Sequence, residues 1–165
     1  MLYRFSMTCN GNLRFTKRWG LHERPFFIGI EVFSFRNCSM TKLLIIGAGG
    51  FIGAIARYVI SGAVQNRTDS LFPYGTLVVN CLGCLLLGFM IYFVEERAIL
   101  TVNARLFLAV GIMGAFTTFS TFGFETVQLM QNREFMQAAG NIFLNVAIGV
   151  TAFWAGRTML RLFNF

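Results

Sequence analysis

The clearest shortage in this sequence is one of charge. Charged residues make up 13% of the chain and hydrophobic residues 56%, whereas about a quarter of a typical soluble domain is charged. The apolar residues also come in long blocks, and the mean hydropathy is +0.63. This composition places the chain among membrane proteins rather than soluble globular ones.

Clusters of basic residues are missing from residues 40–165, despite a net charge of +7. Before Met40 there are six Lys/Arg and two acids, and from Met40 onward there are eight and five. The basic bias therefore lies largely in the first 39 residues. A nucleic-acid interface needs clustered basic residues on a folded face, so we expect no nucleic-acid partner.

The cysteines do not have the spacing of a disulfide framework, and histidine is nearly absent. Cys9 and Cys38 lie near the N-terminus, and Cys81 and Cys84 form a C-x-x-C inside an apolar segment. A redox or metal pair is one interpretation, but there is no second pair, and His22 is the only histidine. Packing of small residues in a membrane helix is the favoured interpretation.

Four apolar segments reach the ~20 residues that a helix needs to cross a bilayer. These segments are Lys42–Val64, Gly75–Val94, Leu106–Met130 and Phe135–Met159. The short polar connectors between them require neighbouring helices to be antiparallel; they are Gln65–Tyr74, Glu95–Arg105 and Gln131–Glu134. We predict an all-α integral membrane domain of four transmembrane helices in residues 40–165. Because so small a bundle has little interior, we expect an oligomer.

Residues 1–39 differ from the rest of the chain. Their one apolar stretch, Pro25–Phe35, is interrupted by Glu31 and is too short to span a bilayer. No clean apolar core precedes a small-residue cleavage site, so a signal peptide is not indicated. Because Met40 directly precedes the first span, we interpret residues 1–39 as an over-extended translation start. A genuine disordered or interfacial tail is the alternative.

Basic residues of residues 40–165 are divided almost evenly between the two sides of the predicted bundle. Such a weak bias fixes the orientation in the membrane poorly, so this chain is suited to insertion either way up. One side has five basic residues and the other three: Lys42, Arg97, Arg105, Arg157 and Arg161 against Arg57, Arg67 and Arg133.

The glycines of Lys42–Gly53 resemble a dinucleotide fingerprint. Gly47, Gly50 and Gly53 match its spacing, but the motif requires a soluble unit of strands and helices. Bilayer-length apolar runs follow here instead. Gly49 and Gly53 also form G-x-x-x-G, which allows transmembrane helices to pack closely, and we favour that interpretation.

The third predicted span contains an unusual polar cluster. Four hydroxyl residues and two glycines lie between Gly114 and Gly123. A continuous helix can hide hydroxyls by bonding them to its own carbonyls. Alternatively, glycine beside Ser and Thr is how transporter helices unwind to expose carbonyls to cations. We predict a broken third helix around Gly114–Thr121.

Several side chains in the spans are candidates for an ion path. Phe119 and Phe122 lie three residues apart, and a phenylalanine ring turned edge-on favours an anion without presenting a permanent charge. Simple packing is the alternative for both rings. Asn80 is the only strongly polar side chain between Leu77 and Val94, and an interhelix hydrogen bond is its alternative role.

Two further features extend this polar track. Asn141, Asn145 and Gly149 are four residues apart, which predicts one polar stripe on the fourth helix. Arg57 lies near the end of the first span, where it either faces a cavity or partner or reaches the interface with its long side chain.

Three motifs in order resemble the Fluc/CrcB family of fluoride channels. They are G-G-x-x-G-A-x-x-R-Y at Gly49–Tyr58, G-T-L-x-V-N-x-x-G at Gly75–Gly83 and T-T-F-S-T-F at Thr117–Phe122. The resemblance covers residues 40–165 and leaves residues 1–39 outside. It implies an antiparallel, dual-topology homodimer in the bacterial inner membrane, whose pores export cytoplasmic fluoride passively. It does not imply an enzyme.

The same resemblance assigns roles to individual residues. A structural Na⁺ on the dimer axis would be held by the backbone carbonyls of Gly114 and Thr117. The resemblance places eight residues in the fluoride pore: Asn80, Thr118, Phe119, Ser120, Thr121, Phe122, Asn141 and Asn145. It gives two charged residues an electrostatic or structural role: Arg57 and Glu125.

Two other classes of membrane protein remain as alternatives. A small multidrug exporter also has four helices, but it needs a carboxylate in the first span to couple protons to a cationic substrate. Lys42–Val64 contains no Asp or Glu, which disfavours this class. A non-transporting membrane scaffold is disfavoured, more weakly, by the polar track.

Overall fold

The computed structural model describes residues 5–7, 13–15, 39–95 and 100–162. The chain divides into two units, Met1–Ser34 and Phe35–Phe165. In the first unit, strands β1 (Phe5–Met7) and β2 (Leu13–Phe15) pair antiparallel. The sequence analysis predicted no strand there. Its interpretation of residues 1–39 falls mostly outside the described residues and stays a prediction.

The second unit is helical, and the prediction of four spans is confirmed. Four segments are long and apolar enough to cross a membrane: Met40–Gln65, Tyr74–Phe93, Val102–Gln131 and Phe135–Met159. The first, second and fourth belong to single helices, α1 (Met40–Gln65), α2 (Tyr74–Glu95) and α6 (Phe135–Leu162).

The third span is assembled from four consecutive pieces. They are α3 (Val102–Arg105), a π-helical segment (Leu106–Met113), α4 (Gly114–Phe116) and α5 (Phe119–Gln131). It begins earlier than the predicted Leu106 because Thr101 caps α3, its hydroxyl accepting a 3.2 Å hydrogen bond from the Ala104 N–H. A threonine cap satisfies one of the free N–H groups at a helix start, so the helix extends into the predicted connector.

Helix α2 lies at the centre of the bundle. In its most apolar window 44% of residues are buried, against 11–17% for the other three spans, and it packs most extensively along α6. Glycines make this approach close, since a Cβ on Gly88 would collide with Phe153 O and one on Gly156 with Leu85 O. The backbone of α2 is thereby brought against the helix that carries the predicted asparagine stripe.

Helix α1 packs against the π-helical segment through glycine. Gly49 and Gly53 are the buried residues of α1. A Cβ on Gly49 would collide with Phe107 O, and one on Gly53 with Ile112 O. On the facing segment, a Cβ on Gly111 would lie 2.9 Å from the Gly49 Cα. The structure therefore supports helix packing as the role of the Gly49–Gly53 motif.

This packing predicts a large difference between two neighbouring glycines of α1. Gly49→Ala forces a methyl group into backbone, and overpacking of this kind typically costs about 1–3 kcal/mol. A Cβ on Gly47 would meet nothing within 4 Å beyond its chain neighbours and the backbone of its own helix, so Gly47→Ala should be neutral or stabilising, by up to about 1 kcal/mol. Thermal unfolding in detergent measures both. Equal midpoints for the two variants would contradict the packing account.

Candidate functional site at the break in the third span

The third span is interrupted at two threonines. Thr117 (φ −84°, ψ 156°) and Thr118 (φ −148°, ψ 115°) are both extended, between the end of α4 and the start of α5. The prediction of a break within Gly114–Thr121 is therefore confirmed. A π-helical segment before the break was not predicted from the sequence. No residue-type pattern distinguishes π-helical from α-helical turns in an apolar run such as Leu106–Met113.

The break releases two backbone carbonyls from their helical partners. In a continuous helix, Gly114 O would accept from the Thr118 N–H, and Thr117 O from the Thr121 N–H. Instead, the Thr118 N–H donates to Asn80 Oδ1 at 2.8 Å, and the Thr121 N–H donates to Thr118 Oγ1 at 3.2 Å. Gly114 is exposed on the surface of the protomer and Thr117 is half-buried. The carbonyls assigned to a cation by resemblance have thus lost their usual donors.

Asn80 of α2 pairs with the backbone at the break. Its Oδ1 accepts from the Thr118 N–H, and its Nδ2 donates to Thr118 O at 3.2 Å. A side-chain amide carries both a donor and an acceptor. Its Oδ1 replaces Gly114 O, the acceptor that the Thr118 N–H loses where the helix stops, while its Nδ2 adds a bond to the carbonyl of the N-cap residue of α5. Thr117 also comes close to α2, because Gly83 has no side chain there; a Cβ on Gly83 would collide with the Thr117 methyl group.

The predicted asparagines of α6 join Asn80 in one hydrogen-bonded series. Asn80 Nδ2 donates to Asn145 Oδ1 at 3.0 Å, and Asn145 Nδ2 donates to Asn141 Oδ1 at 2.8 Å and to Asn141 O at 3.0 Å. Asn141 is fully buried and donates to Thr126 Oγ1 at 2.9 Å. We call Asn80, Asn145, Asn141 and Thr126 the amide ladder. Gly149 lies apart from it, against Cys84, with a Cβ position 3.5 Å from that sulfur.

Three hydroxyls gather at the start of α5. Thr118 Oγ1 donates to Thr121 Oγ1 at 2.9 Å and lies 3.4 Å from Ser120 Oγ. Thr118 is buried, Thr121 is half-buried and Ser120 is exposed. The Ser120 and Thr121 hydroxyls therefore lie on the open side of the break.

The two candidate phenylalanines also lie at this helix start. The ring centroids of Phe119 and Phe122 are 5.4 Å apart with an interplanar angle of 49°. Phe119 is 83% exposed on the isolated protomer, while Phe122 is half-buried. The two rings are tilted against each other, and much of Phe119 is available to a further molecule.

The charged candidates make no hydrogen bond to the amide ladder among the described contacts. Glu125 on α5 accepts a 2.7 Å hydrogen bond from the hydroxyl of Thr76, which is buried at the start of α2. Its second oxygen, Oε2, and the Nε of Arg57 are buried without a hydrogen-bond partner among the described residues. The sequence analysis did not single out Thr76 or Thr126. The signal available for both was a hydroxyl residue within an apolar span.

The C-x-x-C of α2 contacts α6 through Cys84. Within residues 39–95 and 100–162, no group of three or more His, Cys, Asp or Glu side chains is placed to hold a metal ion. Cys81 and Cys84 are free thiols, and Cys84 packs against Gly149 of α6. Packing of small residues is therefore the role that the structure supports.

Comparison with known families identifies the chain. A family model described as "CrcB-like protein, Camphor Resistance (CrcB)" matches residues 44–157. The chain belongs to the CrcB-like family. The match includes the break in the third span and the whole amide ladder, and it confirms the resemblance noted from the three motifs.

Individual CrcB relatives are similar over nearly their whole length. The "Fluoride-specific ion channel FluC 3" of Methanosarcina barkeri is 41% identical over 120 residues, which are 73% of this chain and 90% of the relative. A "Fluoride-specific ion channel FluC" of Clostridium perfringens is 42% identical over 126 residues, 74% of this chain and 98% of the relative. That of Nitratidesulfovibrio vulgaris is 42% identical over 123 residues, 74% and 99%.

The Thr76–Glu125 contact predicts a stability effect in this CrcB protein. Thr76→Val keeps the shape of the side chain but removes the donor to a buried carboxyl group, which typically costs about 1–3 kcal/mol. Thr151→Val is the matched control, since Thr151 is exposed and its hydroxyl donates only to Ala147 O of its own helix. We expect a lower unfolding midpoint in detergent for Thr76→Val alone. A similar midpoint for both variants would show that the contact contributes little.

Proposed function

We propose that this chain forms a fluoride-selective passive channel that exports cytoplasmic fluoride and so relieves its toxicity. The observation that carries the proposal is the break at Thr117–Thr118, which places hydroxyls, two phenylalanine rings and a helix N-terminus at one point of an apolar span. Relatives about 40% identical are named as fluoride-specific ion channels, and the motifs that resemble that family surround this break. The proposed activity is transport and involves no catalysed reaction.

The chemistry of the break suits a small anion. Fluoride is strongly hydrated, so a pore must replace its water with donors and still release it. Helix α5 begins at Phe119, and its first N–H groups carry the positive end of the helix dipole. The hydroxyls of Ser120 and Thr121 and the edges of Phe119 and Phe122 lie on the same turn. These groups attract an anion without a Lys or Arg side chain at the break that would trap it.

An antiparallel homodimer would complete the site. Phe119 is 83% exposed and Gly114 is exposed, so a second copy would cover both groups at the break. The almost even division of basic residues between the two sides suits a protein that inserts either way up. Together with the resemblance, these features support two oppositely oriented protomers in the bacterial inner membrane.

A structural sodium ion fits the residues at the break. Alkali cations are bound by oxygen atoms, and carbonyls at the end of a broken helix are suited to them because they also carry the negative end of the dipole. The carbonyls of Gly114 and Thr117 have lost their helical donors. Two such carbonyls from each protomer would hold Na⁺ on the dimer axis, where the ion would join the subunits.

Fluoride flux from liposomes tests the proposal directly. The purified full-length chain, reconstituted into vesicles loaded with fluoride, should release it without ATP or a proton gradient once charge is balanced by an ionophore. Chloride-loaded vesicles should release their ion far more slowly, because chloride is larger and accepts hydrogen bonds less strongly. An ion-selective electrode follows both. Comparable fluoride and chloride rates would reject the selectivity.

The phenylalanine pair predicts a second flux result. Phe119→Ile and Phe122→Ile keep apolar bulk but remove the ring edges, and an aromatic contact worth about 0.5–1.5 kcal/mol corresponds to a loss of up to about tenfold in flux. Phe124→Ile is the control, because Phe124 is exposed on the same helix outside the break. Dimer content is checked by cross-linking. Wild-type flux in both pair variants would leave these rings with a packing role only.

A further inference from the structure

We propose that Asn80 is a positioning residue for the cation. The inference rests on the proposed function, since it concerns the cation at the same break. Asn80 acts through the Thr118 peptide, whose N–H it holds away from the Gly114 carbonyl. The resemblance assigns Asn80 to the pore and gives it no role toward the cation.

Two acceptors compete for one N–H group. The Thr118 N–H donates to Asn80 Oδ1 at 2.8 Å, and in a continuous helix it would donate to Gly114 O. As long as Asn80 holds it, Gly114 O does not accept this N–H and stays available to a cation. Without Asn80, the same N–H in hydrocarbon needs a new acceptor, and Gly114 O is the one that the helix provides.

The amide ladder determines which way the Asn80 side chain faces. The second N–H of Asn80 donates to Asn145 Oδ1 at 3.0 Å. Asn145 cannot turn its own N–H groups toward Asn80, because both donate to Asn141. Asn141 is fixed by its bond to Thr126, whose hydroxyl donates to Phe122 O at 2.7 Å. The ladder therefore keeps Oδ1, the acceptor of Asn80, toward the Thr118 N–H.

The test measures how Na⁺ affects stability rather than flux. Thermal unfolding of the full-length dimer in detergent is followed while Na⁺ replaces Li⁺ at constant ionic strength, for wild type, Asn80→Leu, Asn80→Asp and the control Thr151→Val. We expect the midpoint of wild type and Thr151→Val to rise with Na⁺. Asn80→Leu should need at least about fivefold more Na⁺ for the half-maximal rise, the low end of measured couplings between sites.

Asn80→Asp separates positioning from general stability. A carboxylate oxygen still accepts from the Thr118 N–H, although the bonds to Thr118 O and Asn145 are lost. Its unfolding midpoint should therefore fall while its half-maximal Na⁺ concentration stays within about threefold of wild type, below the usual range of coupling. If Asn80→Leu does not yield folded protein, Asn145→Leu is measured in its place. This variant removes the acceptor of Asn80 Nδ2, so the Asn80 side chain is free to turn. The half-maximal Na⁺ concentration should again rise.

The outcomes distinguish this inference from the proposed channel function. A wild-type half-maximal Na⁺ concentration in Asn80→Leu, or in Asn145→Leu where that replaces it, would overturn the inference. Equal stability of wild type in Na⁺ and Li⁺ would overturn it too, together with the cation site, while fluoride release from liposomes would still stand as its own result. Conversely, a Na⁺ response that depends on Asn80, without fluoride release, would reject the channel alone.

Discussion

The reciprocal hydrogen bonds between the Asn80 amide and the Thr118 peptide are the contact on which the shape of the third span depends. In a bilayer, an unsatisfied backbone group costs several kcal/mol, so a helix can be interrupted only where something replaces its missing bonds. Asn80 Oδ1 supplies the missing acceptor of the Thr118 N–H at 2.8 Å, and Asn80 Nδ2 donates to Thr118 O at 3.2 Å. These bonds allow α4 to end and α5 to begin on either side of Thr117 and Thr118.

The two ends created by the break have opposite character. Helix α4 ends in carbonyls at Gly114 and Thr117 that have lost their helical donors, whereas α5 begins at Phe119 with N–H groups and the capping hydroxyl of Thr118. A continuous helix would cancel these partial charges along its length. Separating them gives one short stretch of chain an electronegative side and an electropositive side, without any ionised residue in the stretch.

Local patterns were sufficient to predict the spans and the break, because both depend on composition. The length of each apolar run set the number of helices, and the Gly, Thr and Ser residues around Thr117 marked the interruption. Which side chains form hydrogen bonds between helices was not predictable in this way. Asn80 is 38 residues from Thr118, and Thr76 is 49 residues from Glu125; such pairs depend on how whole helices align. Asn80 and Asn145 were each singled out, but the sequence did not show that one fixes the other.

The contact between Gly49 and Gly111 has a consequence for how the sequence can drift. Each residue occupies the space that a methyl group on the other would need, since a Cβ on Gly49 would lie 3.1 Å from the Gly111 Cα and one on Gly111 2.9 Å from the Gly49 Cα. A side chain at either position forces α1 and the π-helical segment apart, and close packing then no longer requires glycine at the other position. Substitutions at Gly49 and Gly111 should therefore occur together or not at all among sequences descended from this chain.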